Sequence, residues 1–413
     1  MVDDVSYYYG IHQRGYYMNK LAITLEELNK LPKDSVQLID IRGMESAEYG
    51  LIPGAVNIPK ELIIREMMLV ESCDITIRDV HLDRTRKQVV YCTRGVESPE
   101  AVEALRERGF DAYFLEGGYH NWLVSSVERF EQEADQKERQ EEIEKSIRKK
   151  FHKQLFTPFA RAINRYEMLK PGDHVAVCIS GGKDSMLMAK LFQELKRHNK
   201  FPFELTFLVM DPGYSEANRK LIESNARTLG IPIRVFGSEI FDSVYTIDKS
   251  PCYLCARMRR GYLYSNAKEL GCNKIALGHH YDDVIETILM GMLYGGQIQT
   301  MMPKLHSMNF PGMELIRPMY MIREADIKWW RDYNKLHFLQ CACRFTEQSK
   351  NQSEDDPHYS KRQEIKELIA EMKKVNSFVE GNIFKSVENV NLNTIVGYKK
   401  DGVRHFFTEY YDE

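Results

Sequence analysis

Apolar residues are spaced along this chain in two alternating ways. Short unbroken runs, "VQLIDIRG" (36–43) and "QVVYCTRG" (88–95), each stop at a loop and predict buried strands. After them the apolar positions fall three and four apart. "PEAVEALRERGF" (99–110) predicts a helix, and "AYFLEGG" (112–118) a further strand. Strands alternating with helices predict a parallel sheet covered on both faces, with functional residues at the C-terminal ends of its strands.

The same pattern restarts at Pro171. It predicts a strand at 174–179, a helix at 184–197, a strand in "FELTFLVM" (203–210), a helix at 215–229 and a strand in "IPIRVFG" (231–237). "CNKIALGHHYDDVIETILMGML" (272–293) reads as strand, loop and helix. The stretch 128–155 is charged, lacks Gly and Pro, and predicts a helical connector. Beyond residue 350, "SKRQEIKELIAEMKKV" predicts a helix and "TIVGYKKDGVRHFFTEYY" a hairpin about Asp401-Gly402. There is no internal repeat. The expected organisation is α/β: a first domain at 1–127, a connector at 128–170, a second domain at 171–350 and a C-terminal extension at 351–413.

At 413 residues, 43% hydrophobic and 28% charged, the composition is that of a soluble globular protein of roughly two or three domains. No apolar run approaches the roughly 20 residues of a membrane span. The acidic, polar start "MVDDVSYYYG" predicts neither a secretory nor a transit signal, which points to the cytosol. The net charge of −3 hides a contrast: residues 1–130 carry 15 basic and 21 acidic residues, or −6, and the remainder 42 and 39, or +3. Residues 145–170 alone hold eight Lys and Arg against one Glu, which suits a nucleic-acid surface or a solvated helix face. Eight cysteines in a cytosolic chain favour metal binding or sulfur chemistry over a disulfide framework. Cys73, Cys178 and Cys272 read as small apolar residues.

Cys92 ends a strand and opens "CTRGVES" ahead of Pro99 and a helix. A loop curled before a helix N-terminus turns successive N–H groups inward, a nest suited to a thiolate or persulfide. That suits a nucleophile that accepts and passes on sulfur, although by spacing alone a buried structural cysteine fits equally. "LIDIRGMESAEYGLIPGAVNIP" (38–59), "YCTRGVES" (91–98) and "LEGGYHNW" (115–122) resemble, in order, the three signature stretches of a single-domain rhodanese. The resemblance covers nearly all of 20–125 and implies Cys92 as persulfide carrier, in a loop closing at Ser98. Two positions depart from it: Glu97 stands where many relatives have arginine, and Leu51 where many have histidine. A negative charge at the cradle disfavours thiosulfate and favours persulfide from a cysteine desulfurase.

"SGGKDS" (180–185) follows a predicted strand and precedes a helix, the context an anion-binding loop requires. It does not match G-x-x-x-x-G-K-[ST]. Gly181 and Gly182 admit an oxyanion close to the backbone, Ser180 and Ser185 add hydroxyls, and Lys183 and the helix N-terminus add positive charge. The six residues resemble the PP-loop of ATP pyrophosphatases, which adenylate a carbonyl oxygen and release pyrophosphate. "ALGHHYDD" (276–283) fits the same family, adding Gly278, His279, Asp282 and Asp283 to the expected ATP site. Asp184, Asp282 and Asp283 are candidates for Mg²⁺ on ATP, because hard carboxylate oxygens suit that ion; helix N-capping is the competing reading for these aspartates.

Cys252 and Cys255 form a C-x-x-C, and Cys341 and Cys343 a C-x-C. Four such thiols suit a closed Zn²⁺ site, and three of them an iron–sulfur cluster with one open iron. Arg257, Arg259 and Arg260 follow the first pair and suit RNA phosphate or a salt-bridged face equally. From 150 to 350 the chain resembles the tRNA 2-thiocytidine synthetase (TtcA) family through "SGGKDS", "CYLCARMRRGYLY", "KIALGHHYDDVIETILMGMLYGG", "PKL" and "RPMYMIREADI". That resemblance implies a Rossmann-like PP-loop domain, ATP with Mg²⁺, and a [4Fe-4S] cluster on Cys252, Cys255 and Cys341, with Cys343 the alternative third ligand. It further implies adenylation of a cytidine oxygen in tRNA, in the anticodon loop, and replacement of that oxygen by sulfur relayed from Cys92. Fusion of the two modules raises the effective concentration of donor near acceptor. The competing readings are thiolation of another base or a small metabolite, and an ATP-binding sulfide or redox sensor. The sequence leaves open whether the chain forms a homodimer.

Overall fold

The computed structural model describes residues 21–69, 75–133, 136–198, 200–237, 251–339, 361–409 and Tyr411; for 127–133 and 251–259 it describes the helical backbone alone. The first module holds strands β1 (Ala22–Ile23), β2 (Val36–Asp40), β3 (Val56–Asn57), a small hairpin β4 (Thr76–Ile77) and β5 (Val80–His81), then β6 (Lys87–Tyr91) and β7 (Ala112–Leu115). Its sheet runs β1-β7-β6-β2-β3 with every pair parallel, as the strand–helix alternation predicts. Helices α1 (Met44–Tyr49), α2 (Ser98–Glu107) and α3 (Gly118–Glu133) connect and extend it. In β6, Val89 and Tyr91 pack into one core while Val90 and the adjoining Cys92 pack into another. That is the two-residue period of a strand buried on both faces.

The stretch expected as a helical connector forms α4 (Gln136–Arg148), a π-helical turn at His152–Phe156 and α5 (Thr157–Arg165). Its apolar residues are not solvated. Ile143, Ile147, Phe151, Leu155, Phe159 and Ile163 are buried in the core of the second module, while Lys145, Lys149, Lys153, Arg161 and Arg165 line the exposed side. A buried ion pair fixes the packing: Lys190 donates to Glu144 at 2.9 Å and also to the Leu229 carbonyl at 2.7 Å.

The second sheet contains β8 (His174–Ile179), β9 (Glu204–Asp211), β10 (Ile233–Gly237), β11 (Lys274–Ala276), β12 (Lys304–His306) and β13 (Glu314–Ile316), in the order β10-β9-β8-β11-β13-β12. All pairs are parallel except the edge strand β12 against β13. Helices α6 (Lys183–Arg197), α7 (Glu216–Thr228), α8 (Pro251–Glu269), α9 (Tyr281–Gly295) and α10 (Glu324–Tyr333) follow its strands. Val175, Val177 and Ile179 of β8 face one core, and Ala176 and Cys178 the other. Cys178 and Cys272 are buried among apolar neighbours, as expected for small apolar residues; Cys73 lies outside the described residues. The tail adds α11 (Lys361–Val375), α12 (Val379–Ser386) and the predicted hairpin, β14 (Gly397–Lys400) with β15 (Val403–Phe406). Asp401 and Gly402 at its turn have φ of 53° and 84°, the positive values a tight two-residue turn requires.

Candidate active site

In the second sheet β9 and β10 lie on one side of β8, while β11, β13 and β12 lie on the other. Connections diverging from neighbouring strands leave a crevice at the strand C-terminal ends. The two glycine-containing loops, 180–185 after β8 and 278–283 after β11, meet there. Their approach is close: a Cβ on Gly278 would lie 3.2 Å from the Ser185 nitrogen and 3.3 Å from the Asp184 carbonyl carbon. Gly181 has φ +86°, and a Cβ there would meet Ile222 at 2.6 Å. Ser185 closes its loop by accepting from the Ser180 N–H at 3.1 Å and donating to the Gly182 carbonyl at 3.0 Å. Ser180, Asp184, Ser185, Gly278 and His279 line one cavity of about 280 Å³, with Met210, Tyr214 and Leu263 forming its apolar wall.

Lys183 is buried beside this cavity and paired with Asp184 at 3.1 Å and Glu324 at 3.0 Å. Burial opposes its charge, but Asp184 and Glu324 outweigh burial and hold its pKa above the ordinary lysine value. Burial likewise opposes ionisation of Glu324, yet Lys183, Lys328 and His280 bring its pKa to about 2. The remaining Asp184 oxygen, Oδ1, is buried and has no hydrogen-bond partner.

The other two aspartates are engaged. His280, the N-cap of α9, accepts from the Asp283 N–H, and Asp283 accepts from the His280 N–H at 2.9 Å, a reciprocal capping box. Asp283 also pairs with Arg362 of α11 at 3.1 Å. Asp282 pairs with Arg323 at 2.8 Å and accepts from the Glu324 N–H at 2.7 Å, anchoring the start of α10. His279 accepts from Arg317 at 3.4 Å; burial, and then Arg317, push its pKa down to about 4, so it is neutral at pH 7. Sequence reasoning missed Arg317, Arg323 and Glu324 as site residues, although all three lie in "RPMYMIREADI". It also passed over His280, and Tyr49, whose place beside Lys183 only the packing of the two modules reveals.

In the first module Cys92 is 2% exposed and lies at the C-terminal end of the central strand β6. Its sulfur accepts from the Gly95 N–H at 3.1 Å and the Glu97 N–H at 3.4 Å, with the Ser98 hydroxyl 3.6 Å away. This is the inward-turned nest expected from the loop. Cys252 and Cys255 are the second and fifth residues of α8, with their side chains outside the described residues. Leu263 carries the same helix to the cavity wall, about 12 Å along the axis from Cys255. Arg257 and Arg259 also lie where only the backbone is described, and Cys341 and Cys343 lie outside the described residues.

A PP-loop domain model matches residues 130–367, and a rhodanese-like domain model matches residues 24–125. The tRNA-cytidine(32) 2-sulfurtransferase of Anaeromyxobacter dehalogenans (strain 2CP-C) is 31% identical over 244 residues, covering 58% of this chain and 80% of that protein. The protein of the same name from Neisseria meningitidis serogroup C is 36% identical over 198 residues, covering 46% of this chain. The chain spans 61% of the length of that Neisseria relative. The U34-tRNA thiolase NcsA from Methanococcus maripaludis, solved with its [4Fe-4S] cluster, aligns with a TM-score of 0.46 at 20% identity, covering 60% of this chain and 84% of that one. Since the PP-loop model takes in more than half of the chain and the Anaeromyxobacter protein is covered over most of its length, the chain belongs to the PP-loop family, on its tRNA 2-thiocytidine synthetase branch, and carries a rhodanese-like domain ahead of it.

Proposed function

We propose that this protein is an ATP-dependent tRNA thiolase that installs sulfur at C2 of a cytidine in the anticodon loop. The observation that carries the reading is the convergence of "SGGKDS" and "GHHYDD" on one cavity at the sheet's switch point, with the cysteine-bearing helix α8 forming part of its wall. The N–H groups of the first loop and the N-terminus of α6 suit the phosphates of ATP. Lys183 would turn from Glu324 toward the incoming phosphate charge. Asp184, whose buried Oδ1 takes no hydrogen bond and lies 3.9 Å from His280 Nε2, is better placed to receive Mg²⁺ than Asp282 or Asp283, whose carboxylates already meet arginines.

The reaction begins with attack of the cytidine O2 on the α-phosphorus. Pyrophosphate leaves, and a poor leaving oxygen becomes part of a good leaving group, AMP. Sulfur then adds at C2 and AMP departs. The thiols of Cys252, Cys255 and Cys341, or Cys343 in its place, are a soft donor set that fits a [4Fe-4S] cluster with one open iron, which when bound supplies a site for a sulfur nucleophile. Cys92 would carry incoming sulfur as a persulfide, received from a cysteine desulfurase. A reducing thiol supplied from solution would then attack the Cys92 sulfur, forming a mixed disulfide with it and releasing the outer sulfur as hydrosulfide, the oxidation level at which it adds to C2. A base reaches an enclosed cavity only after leaving its stack, which is cheapest in a single-stranded loop. The exposed basic side of α4 and α5 suits the phosphates of such an RNA.

Nucleoside mass spectrometry of tRNA from a strain lacking the gene tests the proposal. The expected result is loss of one 2-thiocytidine, restored by the wild-type gene and not by Lys183→Met. Unchanged thionucleosides, or loss of a different one, would refute the substrate assignment.

A further inference from the structure

Tyr49 ends α1 in the rhodanese-like module, yet its side chain lies against the second module. Its hydroxyl donates to the Leu339 carbonyl at 2.6 Å, and the Lys183 ammonium is 5.2 Å from its ring centre. A Cβ on Gly182 would be 3.4 Å from the same hydroxyl. The backbone around it is held from both modules. Arg331 donates to the Tyr49 carbonyl, and Arg42, paired with Asp40 at 2.5 Å, donates to the Gly50 carbonyl at 2.6 Å. Lys328 reaches Glu48 at 3.5 Å. Tyr49 is half-buried, and burial pushes its pKa up to about 12, so its hydroxyl remains a donor at neutral pH.

We infer that Tyr49 is a positioning residue of the ATP site, a ring supplied by the rhodanese-like module that orients Lys183 of the PP-loop. The inference rests on the reading of "SGGKDS" as the ATP loop. A lysine side chain has four rotatable bonds and is fixed only by what surrounds it. Asp184 and Glu324 hold the ammonium by charge. The negative face of the Tyr49 ring attracts the same ammonium and excludes water from that side, which shortens the list of places it can go. The hydroxyl bond to Leu339 fixes the ring itself, and Leu339 stands two residues before Cys341 in the chain. One side chain therefore joins the first module, the nucleotide loop and the approach to the second cysteine pair. The ATP site is complete only while the rhodanese-like module is docked.

The test is calorimetric titration of the full-length protein with α,β-methylene-ATP and Mg²⁺, in the absence of tRNA. Tyr49→Leu fills most of the space but has no π face, and should weaken binding about fivefold. Tyr49→Phe keeps a ring packed over Lys183 by the surrounding residues and loses only the hydroxyl bond to Leu339, so binding should stay within about twofold of wild type. In a Lys183→Met background, Tyr49→Leu should add less than about twofold, because the group it positions is gone. Wild-type affinity in Tyr49→Leu, or the same loss with and without Lys183, overturns the inference. A loss in Tyr49→Phe as large as in Tyr49→Leu also overturns it, since the ring would not be the active part, and that comparison stands even if the leucine variant fails to fold. A wild-type protein that binds no nucleotide refutes the ATP-loop reading itself, and this inference with it.

Discussion

Gly278 shows how little room the site leaves. An added methyl would lie 3.2 Å from the Ser185 nitrogen, with Asp184 and Ser185 backbone atoms at 3.3 Å, so the loops must part by a few tenths of an ångström. Gly278→Ala should therefore leave the fold intact and lower the rate of adenylation about three- to tenfold, because displacements well under 1 Å already misalign reacting atoms. Steady-state pyrophosphate release checks this, and an unchanged rate would mean that the two loops need not touch during the reaction. Cys92 makes a separate case. Its sulfur receives two backbone N–H groups, an arrangement that a serine oxygen can also fill. Cys92→Ser should thus preserve stability and pyrophosphate release, while sulfur incorporation from a persulfide donor falls at least about tenfold. Transfer at the wild-type rate would remove Cys92 from the sulfur path.

At the scale of elements, the helices of the C-terminal tail lock the start of α9. Arg362 of α11 lies 3.1 Å from Asp283 and 3.3 Å from Glu286, and Arg323 joins Asp282 to Glu380 of α12. Glu286 is buried, and burial pushes its pKa up to about 7 despite the opposing pull of Arg362 and Lys366. Because this carboxyl normally titrates near 4.5, the folded state binds more protons than the unfolded state between about pH 4.5 and 7. Stability from this group therefore falls as pH rises through that window, and the full cost is present above it. Glu286→Gln should be more stable than wild type at pH 8, by up to about 3 kcal/mol, and level with it at pH 4. Melting curves at the two pH values decide this, and a gap that does not change with pH contradicts it. Elements with their own apolar period, such as β8 and α6, were legible in the sequence. The two-residue strands β1 and β3 were not, since pairing with β7 and β2 defines them rather than any pattern of their own. The nucleotide loop was legible because its chemistry is local. Glu324 and Tyr49 were not, since each reaches Lys183 from more than a hundred residues away in sequence.

The whole molecule is bound into one by a core that ignores the division into modules. Val89, Tyr91, Leu115 and Trp122 of the first are continuous with Ile143, Phe159, Val177 and Leu187 of the second. Burial shared in this way should make the modules unfold in a single calorimetric transition rather than two. His337 lies at the seam, its ring edge-on to Trp122 with centres 5.0 Å apart. Burial, and then Arg331, push its pKa down to about 4 from the ordinary 6.5. The folded state thus binds fewer protons than the unfolded state across that interval, so the contribution is complete above about pH 6.5 and is lost as pH falls toward 4. The loss amounts to about 3 kcal/mol by the size of the shift. It runs opposite to the contribution of Glu286 over much the same range, so the wild-type pH profile alone cannot separate them, whereas variants can. His337→Gln cannot take up the proton, and should lose less stability than wild type between pH 7 and 5, while Glu286→Gln loses more. If the first module were only tethered, the melt would split into two transitions and His337→Gln would follow the wild-type pH dependence. A single transition, with His337→Gln losing less stability than wild type as pH falls, requires that the rhodanese-like module be seated on the PP-loop domain, the condition under which Tyr49 can reach Lys183.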